Sequence, residues 1–114
     1  MKFTMTFFPL LALAVSTLAA PTTDTRVVQL RLWGETGCAE ENMGELGLLT
    51  SGLNECGTFS GPEAIHSITT YYVDAGFAAQ FFTDSNCQEG VTTVTAPGCL
   101  NGTTAFASYK LVVN

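Results

Sequence analysis

Two six-residue phrases constrain this chain more than anything else in it. Trp33-Gly34-Glu35-Thr36-Gly37-Cys38 and Phe82-Thr83-Asp84-Ser85-Asn86-Cys87 share one chemical order: aromatic, acid, small hydroxyl, turn residue, cysteine. They lie 49 positions apart, counted from Trp33 to Phe82 or from Cys38 to Cys87. The same shift lays Val28, Leu30 and Leu32 over Phe77, Ala79 and Phe81, and Arg31 over Gln80. Alternating apolar residues kept in register are the signature of a β-strand with one buried face, because a slip of one residue would turn every side chain over. Beyond the cysteines, "AIHSIT" from Ala64 resembles "AFASYK" from Ala105, with Ser67 over Ser108. Each half therefore reads as strand, cysteine loop, short strand, second cysteine, long strand.

Residues 26–33, a stretch near Leu46 to Thr50, Ala64 to Val73, Phe77 to Phe82, "GVTTVT" and Ala105 to Val113 are the expected strands. Asp74-Ala75-Gly76 is expected to join the halves as a hairpin whose glycine takes the left-handed conformation. Glycines 44, 47 and 52 argue against a long helix in between. The expected fold is all-β, a small sandwich of two like halves, 26–73 and 77–113, within one domain over 26–114.

The first 19 residues read as a secretory leader, with Lys2 ahead of the apolar run Phe7 to Leu18 and small residues at the cut after Ala19. Residues 20–25 read as a loose polar arm. A domain of this size buries a modest core and gains from covalent staples. Cys38, Cys56, Cys87 and Cys99 all follow the leader, so two disulfides are expected in an oxidising compartment. Zinc would want closer cysteine pairs or more than one histidine. Of the three pairings open to four cysteines, stapling within each half gives Cys38–Cys56 and Cys87–Cys99. The rival is Cys38–Cys87 with Cys56–Cys99.

Without the leader, Arg26, Arg31 and Lys110 stand against ten carboxylates, a net charge of −7. That excludes the basic stripe a nucleic-acid binder needs and speaks against anionic membrane surfaces. No second apolar stretch is long enough to cross a bilayer.

The phrase W/F-x-[DE]-[ST]-[GN]-C, a later cysteine after a turn, and the closing Ser108-Tyr109-Lys110-Leu111-Val112 resemble small secreted proteins of filamentous fungi with a βγ-crystallin-like Greek-key sandwich. The resemblance implies an extracellular, two-motif β-sandwich of the effector or toxin-like kind, and it brings no catalytic set. Asp84-Ser85-Asn86-Cys87 departs from the calcium-binding crystallin order, so no calcium site, other metal or cofactor is carried over.

His66 is the single histidine and would have to serve any acid–base chemistry, with Asp74 or Asp84 as its carboxylate. A structural strand histidine is the simpler reading. A guanyl-specific ribonuclease mechanism wants two histidines and is set aside. Glu40, Glu41, Glu45 and Glu55 cluster in sequence, as an acidic loop or a weak cation site. Nucleophile-elbow, phosphate-loop and zincin motifs are missing. Asn101-Gly102-Thr103 is a glycosylation sequon. Among the large aromatics Trp33, Tyr71, Tyr72, Phe81 and Phe82, most are expected in the core. Trp33 and Phe82 have outward parity and form a contact surface unless they pack under the cysteine loops. The functional expectation is a monomeric, non-enzymatic protein that binds an extracellular protein or a cell-wall or cell-surface component. Alternatives are a protease inhibitor inserting Ala39 to Glu55, or a small hydrolase.

Overall fold

The computed structural model describes residues 24–61 and 63–114; the expected leader, and residues 20–23 of the expected arm, lie outside them. Among the described residues eight strands follow one another: β1 (Arg26–Trp33), β2 (Asn42–Leu49), β3 (Cys56–Thr58), β4 (Ile65–Val73), β5 (Phe77–Phe82), β6 (Thr92–Val94), β7 (Gly98–Phe106) and β8 (Ser108–Val113). A single 3-10 turn, Thr50–Gly52, separates β2 from β3. The strands form two four-stranded sheets, β2-β1-β4-β7 and β3-β8-β5-β6, with antiparallel pairing throughout the named strands.

Matching β1 to β5, β2 to β6, β3 to β7 and β4 to β8 turns the order of the first sheet into that of the second. The third strand of each half is the one that crosses over: β3 lies in the second sheet and β7 in the first. Each sheet is thus three strands from one half closed by one strand from the other. Neither half can complete a sheet alone.

Asp74–Gly76 is not a hairpin. Gly76 does take a positive φ, 91°. However, β4 and β5 do not pair, and the turn carries the chain from one sheet to the other. The Asp74 N–H donates to Val27 O at 2.8 Å, and the Asn114 N–H donates to Gly76 O at 2.9 Å, tying the crossing to both sheets. The expected strand Ala105 to Val113 also divides. Phe106 pairs with Ile65 in the first sheet, Ser108 pairs with Phe82 in the second, and Ala107 is the corner between them. Periodicity could not mark this corner, since a chain changing sheets keeps its alternation.

The core fills the space between the sheets. Val28, Leu30, Ile68, Ala79 and Phe81 are fully buried, and Phe81 meets Phe106 across the interior with ring centroids 6.1 Å apart. Val27 is buried as well, which strict alternation forbids. A bulge explains it, because Arg26 and Val28 oppose the successive residues Leu49 and Leu48. Asp24 and Thr25 of the expected arm are docked. Asp24 accepts hydrogen bonds from the Ser51 N–H at 2.9 Å and the Ser51 hydroxyl at 2.7 Å, and Thr25 N–H donates to Thr50 Oγ1.

Two buried serines hold the cysteine loops down, one in each half. Ser67 Oγ donates to Glu35 O at 2.5 Å and accepts from the Cys38 N–H at 3.0 Å. Ser108 Oγ donates to Asp84 O at 2.5 Å and accepts from the Cys87 N–H at 3.2 Å. Both serines are fully buried. Cys38 and Cys87 share a left-handed backbone, with φ of 54° and 56°. Repeated phrases in the sequence are therefore repeated hydrogen bonds in space. Removing either hydroxyl strands a backbone N–H and C=O, at about 1–3 kcal/mol. Ser67→Ala and Ser108→Ala are each expected to lower stability by that amount, and by similar amounts, in chemical denaturation. A large effect at one site and none at the other would contradict the equivalence.

Candidate functional site

The disulfides are Cys38–Cys99 and Cys56–Cys87, with Cα separations of 6.1 and 5.9 Å, and no cysteine is left free. This corrects the expected pairing within each half, Cys38–Cys56 with Cys87–Cys99, and the rival pairing too. The reason is the crossed third strand. It carries Cys99 on β7 into the first sheet beside the Cys38 loop, and Cys56 on β3 into the second sheet beside the Cys87 loop. Exchanging the halves turns one bridge into the other. Chain separations of 61 and 31 residues put each bridge at about 4 kcal/mol in the chain-entropy model.

The expected contact surface of Trp33 and Phe82 does not exist as one patch. Trp33 is on β1 in the first sheet and Phe82 on β5 in the second. Phe82 is only 5% exposed, with Lys110 Nζ 5.9 Å from its ring centroid. Trp33 is half-buried, and its Nε1–H donates to Thr69 Oγ1 at 2.9 Å. Its neighbours on the outer side of the first sheet were not anticipated. Tyr71 and Tyr72, expected to help fill the core, are 48% and 38% exposed. A bulge in β4 is the cause: Gln29 and Leu30 oppose Tyr72 and Thr70, leaving Tyr71 as the extra residue. A bulge re-aims a side chain without leaving a mark on composition, so the sequence offered no signal beyond two adjacent tyrosines.

Around these rings runs a chain of polar contacts. The Arg31 Nε–H donates to the Tyr71 hydroxyl oxygen at 3.0 Å, and Arg31 also forms an ion pair with Glu45 on β2. Gln29 Nε2 donates to Glu45 Oε1 at 2.7 Å, while its buried Oε1 has no partner among the described residues.

A second cluster lies at the end of the first sheet. His66, Glu35, Glu41 and Glu63 line one open cleft. His66 Nδ1 is 2.8 Å from Gly34 O, a contact that spends one ring nitrogen on the backbone. Asp74 and Asp84 do not line this cleft. Of the four carboxylates grouped in sequence, Glu45 joins Arg31 and Glu55 lies beside Cys56, while Glu41 lines the cleft with Glu35 and Glu63 and still feels the charge of Glu40. No group of three or more His, Cys, Asp or Glu side chains is arranged to hold a metal among the described residues. Ala39 to Glu55, expected as an inserting loop, is mostly β2 and the 3-10 turn. Asn101 is exposed on β7, and its Oδ1 accepts from the Gly37 N–H at 2.6 Å. No helix among the described residues is long and apolar enough to cross a membrane.

Protein-family models, curated proteins and solved structures yield no match to this chain.

Among the described residues three carboxyls are shifted: Asp24, through its hydrogen bonds from Ser51, and Asp84 downward, and Glu41 upward. Glu35 beside Glu41 raises the Glu41 carboxyl above its ordinary value, and loss of water and the charge of Glu63 add to the effect. Backbone N–H groups of Glu89 and Gln88, then Asn86, hold Asp84 below its ordinary value. A carboxyl raised on folding binds its proton more readily in the folded chain, so its contribution to stability falls as pH rises through its window. A depressed carboxyl contributes stability above its unfolded pKa and loses it as pH falls toward the folded value. Glu41→Gln is therefore expected to raise the unfolding midpoint at neutral pH, and Asp84→Asn to lower it. The Glu41 difference should fade as pH falls through the window above the ordinary carboxylate value and be gone below about pH 4, whereas the Asp84 difference should begin to shrink only below about pH 4. Thermal unfolding across pH measures this, and pH-independent differences would contradict it.

Proposed function

We propose that this chain is an exported, non-enzymatic binding protein, monomeric, of the effector or toxin-like kind made by filamentous fungi. The observation that carries this reading is the placement of the disulfides, each joining one half of the sandwich to the other. Such bridges resist loss of either half and suit a chain that must persist outside the cell. The sheet orders β2-β1-β4-β7 and β3-β8-β5-β6, with exchanged third strands, support reading the fold as a two-motif, βγ-crystallin-like Greek-key sandwich. Acidity fits solubility in the extracellular space. In the cleft, the ring nitrogen of His66 facing Gly34 O and the mutual crowding of Glu35, Glu41 and Glu63 favour a structural role over turnover. A glycan on exposed Asn101 is compatible with this setting.

The test is to apply purified, oxidised protein to plant tissue and to competing microbial cells. A dose-dependent response that is lost when Cys38 and Cys99 are both replaced by alanine is expected, and it should survive His66→Ala. No response, or turnover of a substrate abolished by His66→Ala, would overturn the reading.

A further inference from the structure

The second half of a duplicated scaffold shows what the scaffold itself requires. At the positions matching Tyr71 and Tyr72, β8 carries Val112 and Val113; at the position matching Arg31, β5 carries Gln80. Where β1 has an Arg31–Glu45 pair across to β2, the register of β5 and β6 opposes Gln80 to Thr93. Where Trp33 is half-buried, Phe82 is buried. The second sheet thus forms with its matching ring buried under Lys110, and with neither exposed tyrosines nor an ion pair on this face. Their presence on the first sheet alone calls for a reason outside folding.

We propose that the outer face of the first sheet binds an extended, uncharged polysaccharide, an inference that rests on the binding reading above and gives it a ligand class. Four properties of the face select this ligand. First, Tyr71 and Tyr72 expose flat rings at the surface. The C–H faces of a sugar pack against such rings, and aromatic side chains supply large contact area at small entropic cost. Second, two of the rings are already fixed by the Arg31–Tyr71 and Trp33–Thr69 hydrogen bonds, so little order is lost on binding. Third, charge fits a neutral chain. Glu45 answers Arg31 within the face, while the ten carboxylates of the protein oppose a polyanion. Arg31 and Glu45, beside the rings, can exchange hydrogen bonds with sugar hydroxyls. Fourth, Trp33 pairs with Ser67 and Gln29 with Tyr72, so the face runs five residues along β1, four steps or about 13 Å. A sheet face of that length accepts several sugar rings laid along it.

The experiment mixes the mature, oxidised protein with insoluble cellulose, chitin and cell-wall glucan, and measures depletion from solution. Soluble polygalacturonate in a native gel serves as the anionic arm. Soluble oligomers of whichever neutral polymer binds are then titrated against the emission of Trp33, the single tryptophan. Saturable binding to at least one neutral polymer is expected, with a shift in Trp33 emission. Tyr71→Ala and Tyr72→Ala should each weaken it about tenfold, the scale of an aromatic anchor. Tyr71→Phe should lose less, and Val112→Ala and Val113→Ala should change nothing. Unfolding midpoints confirm that each variant is folded. No neutral polymer bound, binding only to polygalacturonate, or full binding by the Tyr71→Ala/Tyr72→Ala double variant would each overturn the proposal. If no polymer binds but the double variant still provokes the tissue or cell response, the ligand class fails while the binding reading stands. If a polymer binds as expected and no response occurs anywhere, the site stands and the effector or toxin-like reading fails.

Discussion

One exchange of strands governs this molecule. β3 leaves the first half to close the second sheet, and β7 leaves the second half to close the first. Each half supplies the fourth strand of the other half's sheet, β7 paired with β4 and β3 paired with β8. The same exchange decides which cysteines meet. It also decides that Phe106, on β7, faces Phe81, on β5, across the core. Fold, staples and packing therefore share one cause.

Around that frame the two halves have been used differently. Ser67 and Ser108 keep the cysteine loops in the same geometry, at the same hydrogen-bonding distances to within a few tenths of an ångström. The loops beyond them diverge. Asp84 closes its loop by accepting three backbone N–H groups, from Asn86, Gln88 and Glu89. Its counterpart, Glu35, instead lines a cleft with Glu41 and Glu63, where like charges crowd. Glu41 holds φ of 61° where the second half has Gly90 at 64°, a conformation glycine adopts without strain. The first half thus carries both the crowded carboxylates and the exposed rings, and the second half is the plainer copy.

Much of the architecture is legible in the sequence because the repeat preserves the inward face. Val28, Leu30 and Leu32 over Phe77, Ala79 and Phe81 define two equivalent strands, and Ser67 over Ser108 marks a contact that is repeated in space. What escapes is long-range. Nothing local distinguishes a turn that pairs two strands from one that carries the chain between sheets, so Asp74–Gly76 reads as a hairpin. Treating the halves as self-contained then leads to the wrong cysteine pairing. The exposed tyrosines escape for a different reason. A bulge of one residue in β4 reverses the parity on which inward and outward assignments depend, and the residues Thr69 to Val73 are β-formers whether or not it occurs. Parity alone turns Phe82 outward, but Lys110 from the next strand covers it, a contact that only the sheet register creates.

The most direct test of the exchanged strands is the connectivity of the cysteines. Cleavage after glutamate under non-reducing conditions separates all four onto distinct peptides, 36–40, 56–63, 64–89 and 90–114. Mass spectrometry should then find 36–40 joined to 90–114, and 56–63 joined to 64–89. Peptide 36–40 joined to 56–63, with 64–89 joined to 90–114, would mean that each half closes on itself, and the exchange of β3 and β7 would be refuted.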